Sequence, residues 1–137
     1  MFPLRIRSSY SLMRGTMSPA EICARARQLG HDGVALTDRD NLYGLWPFLT
    51  ACRREKLKAI IGCELTEPKT MKQITCLVKD QQGYANLCTL ISRRHCRNDF
   101  DIVAAVARYG QGLLILCGDI GLLESIWSQG LAPVADV

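Results

Sequence analysis

The hydrophobic positions of this chain follow two spacings, one typical of strands and one typical of amphipathic helices. Continuous apolar runs that end on polar residues predict buried strands, and strict alternation predicts a strand with one polar face. The amino-terminal segment alternates, with Leu4 and Ile6 on the same face. The predicted strands are Pro3–Ser8, Gly33–Asp38, Lys58–Glu64, Lys72–Lys79 and Leu113–Cys117.

Apolar residues at helical spacing predict helices between these strands. The clearest helix begins at Ser18-Pro19-Ala20-Glu21, which combines an N-cap serine, a proline at the first helical position and a capping-box glutamate. It is expected to run to Leu29, with Ile22, Ala26 and Leu29 as its apolar stripe and Gly30 as its end. The other predicted helices are Leu42–Lys56, a segment capped by Asp80 and ending near Arg94, Val103–Tyr109 and Leu122–Trp127.

The alternation of strands and helices predicts an α/β architecture with a mainly parallel sheet. The chain has 137 residues, which suits one globular domain. A closed eightfold (β/α) barrel needs about 200 residues or more, so the chain forms either an open sheet or part of a barrel. Leu131–Val137 contains no clear terminating element. We therefore expect residues 1–137 to be a single domain of a longer polypeptide.

Composition and charge restrict the class of protein. Hydrophobic residues make up 48% of the chain and charged residues 22%, and no apolar run approaches the roughly 18 residues that span a bilayer. The first residues also lack the order of a signal peptide, so we expect a soluble cytoplasmic protein without membrane partners. The net charge of +4 does not by itself indicate nucleic-acid binding.

The seven cysteines are spread singly, and no C-x-x-C motif occurs. An odd number of isolated cysteines in apolar segments favours free thiols over a disulfide framework. The lack of C-x-x-C argues against a zinc ribbon or a thioredoxin-like redox site. We therefore expect reduced cysteines.

Basic clusters and large aromatic residues each allow two interpretations. The clusters at residues 53–58 and 93–97 favour solvated helix ends, with a nucleic-acid or partner patch as the alternative. Trp46, Phe48 and Trp127 favour core or interface positions over base-stacking platforms.

Polar residues follow three of the predicted strands. They are Arg5, Arg7, Ser8, Asp38, Arg39, Asp40, Cys63 and Glu64. In parallel sheets such an edge is where ligands bind, and solvated loop charges are the alternative interpretation. Two carboxylates alone are a weak metal signal, and His31 and His95 do not form a recognisable ligand pair.

Longer motifs resemble those of a known family. Six segments, residues 4–15, 33–44, 60–64, 73–80, 83–87 and 112–118, resemble in order the motifs of the PHP (polymerase and histidinol phosphatase) domain. The version they resemble is the one at the amino terminus of the bacterial DNA polymerase III alpha subunit. The resemblance implies a partial, distorted (β/α) barrel and the amino-terminal part of a polymerase subunit.

The chain departs from the family pattern where that pattern places metal ligands. The first motif, His-x-His before a serine in the family, is Arg5-Ile6-Arg7-Ser8 here. In the next motif, Thr-Asp-His in the family, Asp38 is kept and Arg39 replaces the histidine. Arginine stays protonated and has no lone pair for a metal, so these positions cannot bind one.

Other positions of the pattern are mixed. Glu64 matches the family's glutamate ligand, Gln73 stands where a histidine is common, and Arg14 stands where an aspartate is common. Family members bind zinc, manganese or magnesium, but for this chain we expect no metal, no cofactor and no catalytic residue. The degenerate metal-site positions are Arg5, Arg7, Asp38, Arg39, Glu64 and Gln73.

Without a metal, Asp38 and Glu64 need another source of positive charge. Arg5, Arg7 and Arg39 belong to the same predicted edge, and their guanidinium groups suit bidentate pairing with carboxylates. We expect Asp38 and Glu64 each to pair with at least one of these arginines.

Arginines left over would make this edge a candidate anion-binding site for sulfate or phosphate, without catalysis. The candidates are Arg5, Arg7, Arg14 and Arg39. Breaking a buried ion pair costs about 3–5 kcal/mol, against about 0–1 kcal/mol for a surface pair. Arg7→Met should therefore destabilise the chain far more than Arg54→Met.

Two function hypotheses follow from the resemblance. The first is a degenerate, non-catalytic PHP domain that acts as a structural and protein-interaction module in DNA replication or repair synthesis. Its partners would be the other domains of the polymerase subunit, a proofreading exonuclease subunit and, indirectly, DNA. The parent would be a DNA-directed DNA polymerase, a nucleotidyltransferase, while this chain alone would be inactive. The alternative is a metal-dependent phosphoesterase or 3′–5′ exonuclease domain.

Overall fold

The computed structural model of the chain describes residues 1–130, which contain five helices and four strands. Each predicted helix and four of the five predicted strands are present, with bounds that differ from the expected ones by a few residues. In chain order they are α1 (Pro19–Gln28), β1 (Gly33–Arg39), α2 (Leu45–Glu55), β2 (Lys58–Thr66), β3 (Gln73–Val78), α3 (Gln81–Cys96), α4 (Ile102–Tyr109), β4 (Leu113–Leu116) and α5 (Ile120–Ser128). The fold class is therefore α/β, as predicted. Leu131–Val137 lies outside the described residues.

The four strands form one sheet in the order β1-β2-β3-β4. The sheet is mixed rather than wholly parallel, because β3 and β4 are antiparallel, with Val78 opposite Leu113 and Thr75 opposite Leu116. Two consecutive helices, α3 and α4, connect these strands. A single crossover helix would return the chain so that β4 ran parallel to β3. The second helix reverses the chain again, so β4 runs antiparallel and begins beside the end of β3.

The predicted amino-terminal strand is reduced to a single parallel bridge between Ile6 and Leu36. The Ala35 N–H donates to the Pro3 carbonyl at 2.9 Å, and the Thr37 N–H donates to the Ile6 carbonyl at 2.7 Å. The segment thus runs beside β1 and leads directly into the loop that carries the candidate site.

The chain divides into two compact units, residues 1–63 and the part from Glu64 onward, and the division falls within β2. The first unit has a core formed by α1, β1 and α2. Its buried residues are Ile22, Cys23, Ala26, Val34, Leu36, Phe48, Ala51, Cys52 and Leu57. The expectation of one domain within a longer polypeptide stays a prediction.

Helix α1 begins as predicted. The Ser18 hydroxyl accepts from the Glu21 N–H at 3.3 Å, and the Glu21 carboxylate accepts from the Ser18 N–H at 2.7 Å. Its buried stripe differs from the prediction, because Leu29 is 59% exposed and Cys23 is fully buried. Leu29 is the C-cap, where the helix has ended, so it no longer lies on the stripe.

Two of the three large aromatic residues do not lie in the core. Phe48 is fully buried, whereas Trp46 is 72% exposed and Trp127 is 60% exposed. Trp46 lies two residues from Phe48 on α2, and positions two apart on a helix point to nearly opposite faces. Trp127 likewise follows the buried Ile126, so neither tryptophan lies in the core, and an interface position stays the prediction for both.

The second unit packs α3, α4 and α5 with the antiparallel pair β3 and β4. Its helices begin at aspartates, since Asp80, Asp101 and Asp119 accept hydrogen bonds from Gly83 N, Ala104 N and Leu122 N at 2.8–2.9 Å. Its fully buried large side chains are Leu65, Ile74, Leu87, Leu90, Ile102, Val106, Leu122 and Ile126. Within residues 1–130, no helix is both long and apolar enough to span a membrane.

Candidate functional site

Asp38 is the centre of the polar site in the first unit. It lies near the end of β1 and is 2% exposed. Its Oδ1 accepts hydrogen bonds from the Ser8 N–H at 2.7 Å and from the Ser11 hydroxyl at 2.6 Å, and its Oδ2 accepts from the Ser8 hydroxyl at 2.7 Å. A buried carboxylate with this many short hydrogen bonds is stabilised without a counterion in direct contact.

The two serine hydroxyls are themselves held by backbone donors. The Ser8 hydroxyl accepts from the Tyr10 N–H at 3.2 Å, and the Ser11 hydroxyl accepts from the Arg39 N–H at 3.0 Å. Each hydroxyl therefore accepts one hydrogen bond from a backbone N–H and donates one to the Asp38 carboxylate. The result is a connected buried network in which every member has a partner.

The loop after Ser8 is compact because it folds back on its own backbone. The Ser11 N–H donates to the Ser8 carbonyl at 2.9 Å, and the Ser9 N–H donates to the Met17 carbonyl at 2.8 Å. Gly15 lies so close to the Ser8 carbonyl that a Cβ at this position would overlap with it. A glycine at position 15 is therefore needed to bring the serines against Asp38.

The turn after β1 completes the site. Asp40 has a φ of 54°, and its carboxylate lies 3.7 Å from Arg39 Nε. The Asn41 amide donates to the Arg39 carbonyl at 2.8 Å and to the Tyr10 carbonyl at 3.2 Å. Asn41 thus ties the turn after β1 to the loop that carries Ser8 and Ser11.

The space beside Asp38 is small. A cavity of about 10 Å³ lies among Leu36, Asp38, Asn41, Phe48 and other residues of the first unit. A cavity needs roughly 10–15 Å³ to hold one water molecule, so this one has no room for a phosphoester.

The predicted arginine partner of Asp38 is wrong. Within residues 1–130, the side-chain contacts given for Asp38 come from Ser8 and Ser11, and the carboxylate beside Arg39 is that of Asp40. The reason is local, because a backbone amide and two hydroxyls already supply three hydrogen bonds to the Asp38 carboxylate.

The candidate anion-binding arginines differ in exposure. Arg5 and Arg14 are exposed, whereas Arg7 and Arg39 are half-buried. Arg7 also makes polar contacts, while the Arg54 side chain is 63% exposed and lies 3.0 Å from Glu55. The predicted difference between Arg7→Met and Arg54→Met stays a prediction.

The remaining predicted site residues belong to the second unit. Glu64 lies in β2 and is fully buried, and Gln73 begins β3 with its side chain exposed. Both have polar contacts, so the pairing predicted for Glu64 stays a prediction. Sequence reasoning missed Ser11 and Asn41 as site residues. Ser11 lies 27 residues from its partner Asp38, and Asn41 lies 31 residues from its partner Tyr10, so no local spacing links either pair.

The donor set does not fit a metal. Among the described residues, no group of three or more His, Cys, Asp or Glu side chains is placed to hold an ion. Arg5, Arg7 and Arg39 occupy positions where the PHP pattern has histidines, and their guanidinium groups have no lone pair to give.

The similarity of this chain to known proteins agrees with this fold and these motifs. A model of the PHP domain family matches residues 3–129. The chain is 35% identical over 130 residues to the error-prone DNA polymerase of Anaeromyxobacter dehalogenans, covering 82% of this chain and 12% of that protein. It is 32% identical over 148 residues to the DNA polymerase III subunit alpha of Treponema pallidum, covering 93% of this chain and 12% of that subunit.

A solved structure shows the same fold. A Bifidobacterium adolescentis protein assigned as a metal-dependent phosphoesterase superposes with a TM-score of 0.65 at 15% identity, covering 96% of this chain and 75% of that one. The α/β fold and the family match together define the class of protein. The chain belongs to the PHP domain family. It spans about an eighth of the length of the two polymerases named above.

Proposed function

We propose that this chain is a PHP domain without hydrolytic activity that serves a DNA polymerase III alpha-like subunit as a structural and protein-interaction module. The observation that carries this proposal is the occupation of Asp38, whose oxygens accept hydrogen bonds from Ser8 and Ser11. In this arrangement the carboxylate orders a loop, and three of its roughly four lone-pair sites are already used, which disfavours its use as a metal ligand.

The surrounding charge supports the same conclusion. Metal-activated water requires an ion held in fixed geometry by several lone-pair donors. Arg39 directly follows Asp38, and Arg7 directly precedes Ser8, so the chain places permanent cations next to the residues that remain. A fixed positive charge raises the free energy of binding a divalent cation nearby.

The polymerase context rests on the relatives. An error-prone DNA polymerase and a DNA polymerase III subunit alpha each contain a region similar to most of this chain. We therefore assign the chain to DNA replication or repair synthesis, with the other polymerase domains as its partners. Nucleotidyl transfer would belong to those domains, and contact with DNA would be indirect.

A proofreading exonuclease subunit is the further partner in this proposal. The exposed Trp46 and Tyr43, each 72% exposed, are the kind of side chains that protein interfaces use. Titration calorimetry with the separately purified exonuclease and with the polymerase segments that follow this region in its relatives tests the interaction role. Binding to either supports it, and binding to neither overturns it.

The loss of hydrolytic activity is tested by metal analysis together with a phosphoesterase assay in added Mn²⁺ and Zn²⁺. We expect metal well below one ion per chain and no turnover above the protein-free rate. The matched variant is Arg5→His, Arg7→His, Arg39→His, which restores lone-pair donors at three positions. A gain of bound metal in this variant alone would identify the arginines as the cause of the loss.

The second candidate is a metal-dependent phosphoesterase or 3′–5′ exonuclease. The fold shared with the Bifidobacterium phosphoesterase favours it, although at 15% identity this likeness extends to the fold alone. Stoichiometric metal with turnover in the wild-type chain would establish this second function and overturn the first.

The four arginines suggest one further property of the module. Arg5, Arg7, Arg14 and Arg39 would bind an inorganic anion without transforming it. Titration with sulfate and pyrophosphate, monitored by thermal unfolding, tests this occupancy. A midpoint that rises with either anion in the wild-type chain, and rises less in Arg14→Gln, supports it.

A further inference from the structure

Two cysteines from different helices meet in the core of the first unit. Cys23 lies on α1 and Cys52 on α2, and their Sγ atoms are 3.5 Å apart. Cys23 is fully buried and Cys52 is 2% exposed. The two residues are 29 positions apart in sequence, so no C-x-x-C motif indicates the pair.

We propose that Cys23 and Cys52 form an oxidation site, at which a peroxide converts the two thiols into an intramolecular disulfide that joins α1 to α2. The proposal concerns a modification of this chain and does not depend on the function proposed above.

The geometry requires little movement. A disulfide has an S–S distance of about 2.05 Å, so the two sulfurs must approach by roughly 1.5 Å. Ala26 on α1 and Ala51 on α2 belong to the same buried cluster.

The two thiols are not equivalent. The hydrogen bond with Cys52 lowers the pKa of Cys23, against the opposing effect of burial. The same hydrogen bond and burial raise the pKa of Cys52. The thiolate is the nucleophile, so the sulfur that ionises attacks the peroxide and its neighbour resolves the product; the direction of the two pKa shifts favours Cys23 for the first role.

The reaction has two balanced steps. The Cys23 thiolate attacks one peroxide oxygen, the O–O bond breaks, and Cys23 becomes a sulfenic acid with release of hydroxide. The Cys52 sulfur then attacks the Cys23 sulfur, the S–O bond breaks, and the S–S bond forms. The thiol protons and the released hydroxides yield two water molecules for each hydrogen peroxide consumed. Hydrogen peroxide is the oxidant used because it is the smallest peroxide.

The products can be located in the sequence. Trypsin places Cys23 in residues 15–25 and Cys52 in residues 40–53, and each of these peptides contains one cysteine. After peroxide treatment of the folded wild-type chain, we expect these two peptides to be linked in the non-reduced digest and separate after thiol reduction. Met17 shares the first peptide, and a sulfoxide on it remains after thiol treatment, so the two products are distinguishable.

Variants separate the roles of the two sulfurs. In Cys52→Ser, the sulfenic acid at Cys23 has no thiol to resolve it, so dimedone added during unfolding after peroxide treatment should label residues 15–25 several-fold more than in the wild type. In Cys23→Ser, dimedone should label residues 40–53 less than it labels residues 15–25 in Cys52→Ser. Cys76→Ser is the matched control, because Cys76 is equally buried and burial alone raises its pKa to about 12. It should form the crosslink to the same extent as the wild type.

Three results would overturn the proposal. One is a folded wild-type chain, judged by circular dichroism, that shows no linked peptides after oxidation. Another is linkage only through the exposed Cys96 between two molecules. A third is equal crosslinking in Cys52→Ser. The wild-type peptide map does not depend on the variants, so a variant that fails to fold leaves the test decisive.

Discussion

Charge is stabilised differently around Asp38 in the first unit and around Tyr109 in the second. In the first unit, the buried Asp38 carboxylate accepts three short hydrogen bonds from Ser8 and Ser11. In the second, the Arg93 and Arg108 guanidinium groups lie 4.8 Å and 5.6 Å from the centre of the Tyr109 ring. These arginines border an open groove of about 200 Å³ that Asp99 also lines.

The difference follows from solvation. A buried charge loses its water and must be compensated by fixed dipoles or a counterion, so its surroundings are tightly specified. A charge at the surface keeps most of its water and gains only a modest energy from a neighbouring ring. Substitutions around Asp38 should therefore be costly, and those around Tyr109 should be mild.

The largest effect is expected from Asp38→Ala. It leaves three buried donors of Ser8 and Ser11 without their acceptor, and the loss of such a network should cost about 3–5 kcal/mol. Urea denaturation measures the free energy of unfolding. Asp99→Ala is the control, since Asp99 is exposed and should change stability by less than about 0.5 kcal/mol. Similar values for the two variants would mean that the Asp38 network contributes no net stability.

Gly15→Ala should come next, with a loss of about 2–3 kcal/mol, because the added Cβ overlaps with the Ser8 carbonyl and displaces the loop. Gly118→Ala is the matched control, since a Cβ at position 118 meets nothing within 4 Å. Thermal unfolding of the two variants under identical conditions provides the comparison. An unchanged midpoint for Gly15→Ala would contradict the close approach of this loop.

Ser18→Ala removes the N-cap of α1 and should cost about 1 kcal/mol in urea denaturation. Ser92→Ala on the exposed face of α3 is the control and should be neutral or slightly stabilising, because alanine favours helices. A loss at Ser18 of less than a few tenths of a kcal/mol would mean that the helix begins elsewhere.

The Ser18 effect should also depend on pH. Hydrogen bonds from the Ser18 backbone and side chain lower the pKa of Glu21. A lowered pKa in the folded state gives stability that is present at neutral pH and is lost as the pH falls through the range in which Glu21 becomes protonated. The difference between the wild type and Ser18→Ala should thus narrow in acid by the part that the Ser18 hydroxyl contributes through Glu21, because the Ser18 backbone N–H is present in both. A constant difference down to low pH would show that the Ser18 hydroxyl does not contribute to the lowered pKa of Glu21.

The smallest effect is expected from Arg93→Met, which removes a cation from the Tyr109 ring but keeps an apolar side chain. An exposed cation–π contact contributes about 0.5–1 kcal/mol. Arg97→Met, a neighbouring exposed arginine, should have less effect in the same urea experiment. A loss at Arg93 as large as that at Asp38 would break the contrast between the two units.

Local signals predicted most of the secondary structure. The capping box at Ser18 and Glu21 and the aspartate at position 80 correctly marked where α1 and α3 begin. Such signals act over three or four residues, so they are visible in a single sequence. Strand direction was less predictable, because it depends on how many helices return the chain between β3 and β4.

The candidate site was only partly predictable. The family resemblance identified Asp38 and the arginines that replace histidines, and the absence of lone pairs on arginine excluded them as ligands. It did not identify the partners of Asp38. An arginine pair was expected from charge alone, whereas the folded loop presents hydroxyls at 2.6–2.7 Å.

The sequence by itself determined the order of strands and helices along the chain and the family to which the chain belongs. These properties depend on residue identity and on spacings of a few positions. Only the tertiary structure decided which groups meet: Ser8 and Ser11 with Asp38, 30 and 27 positions away, and Cys23 with Cys52, 29 positions away. Contacts over such separations are set by the packing of β1 with the amino-terminal segment and of α1 with α2, and no local pattern in the chain encodes them.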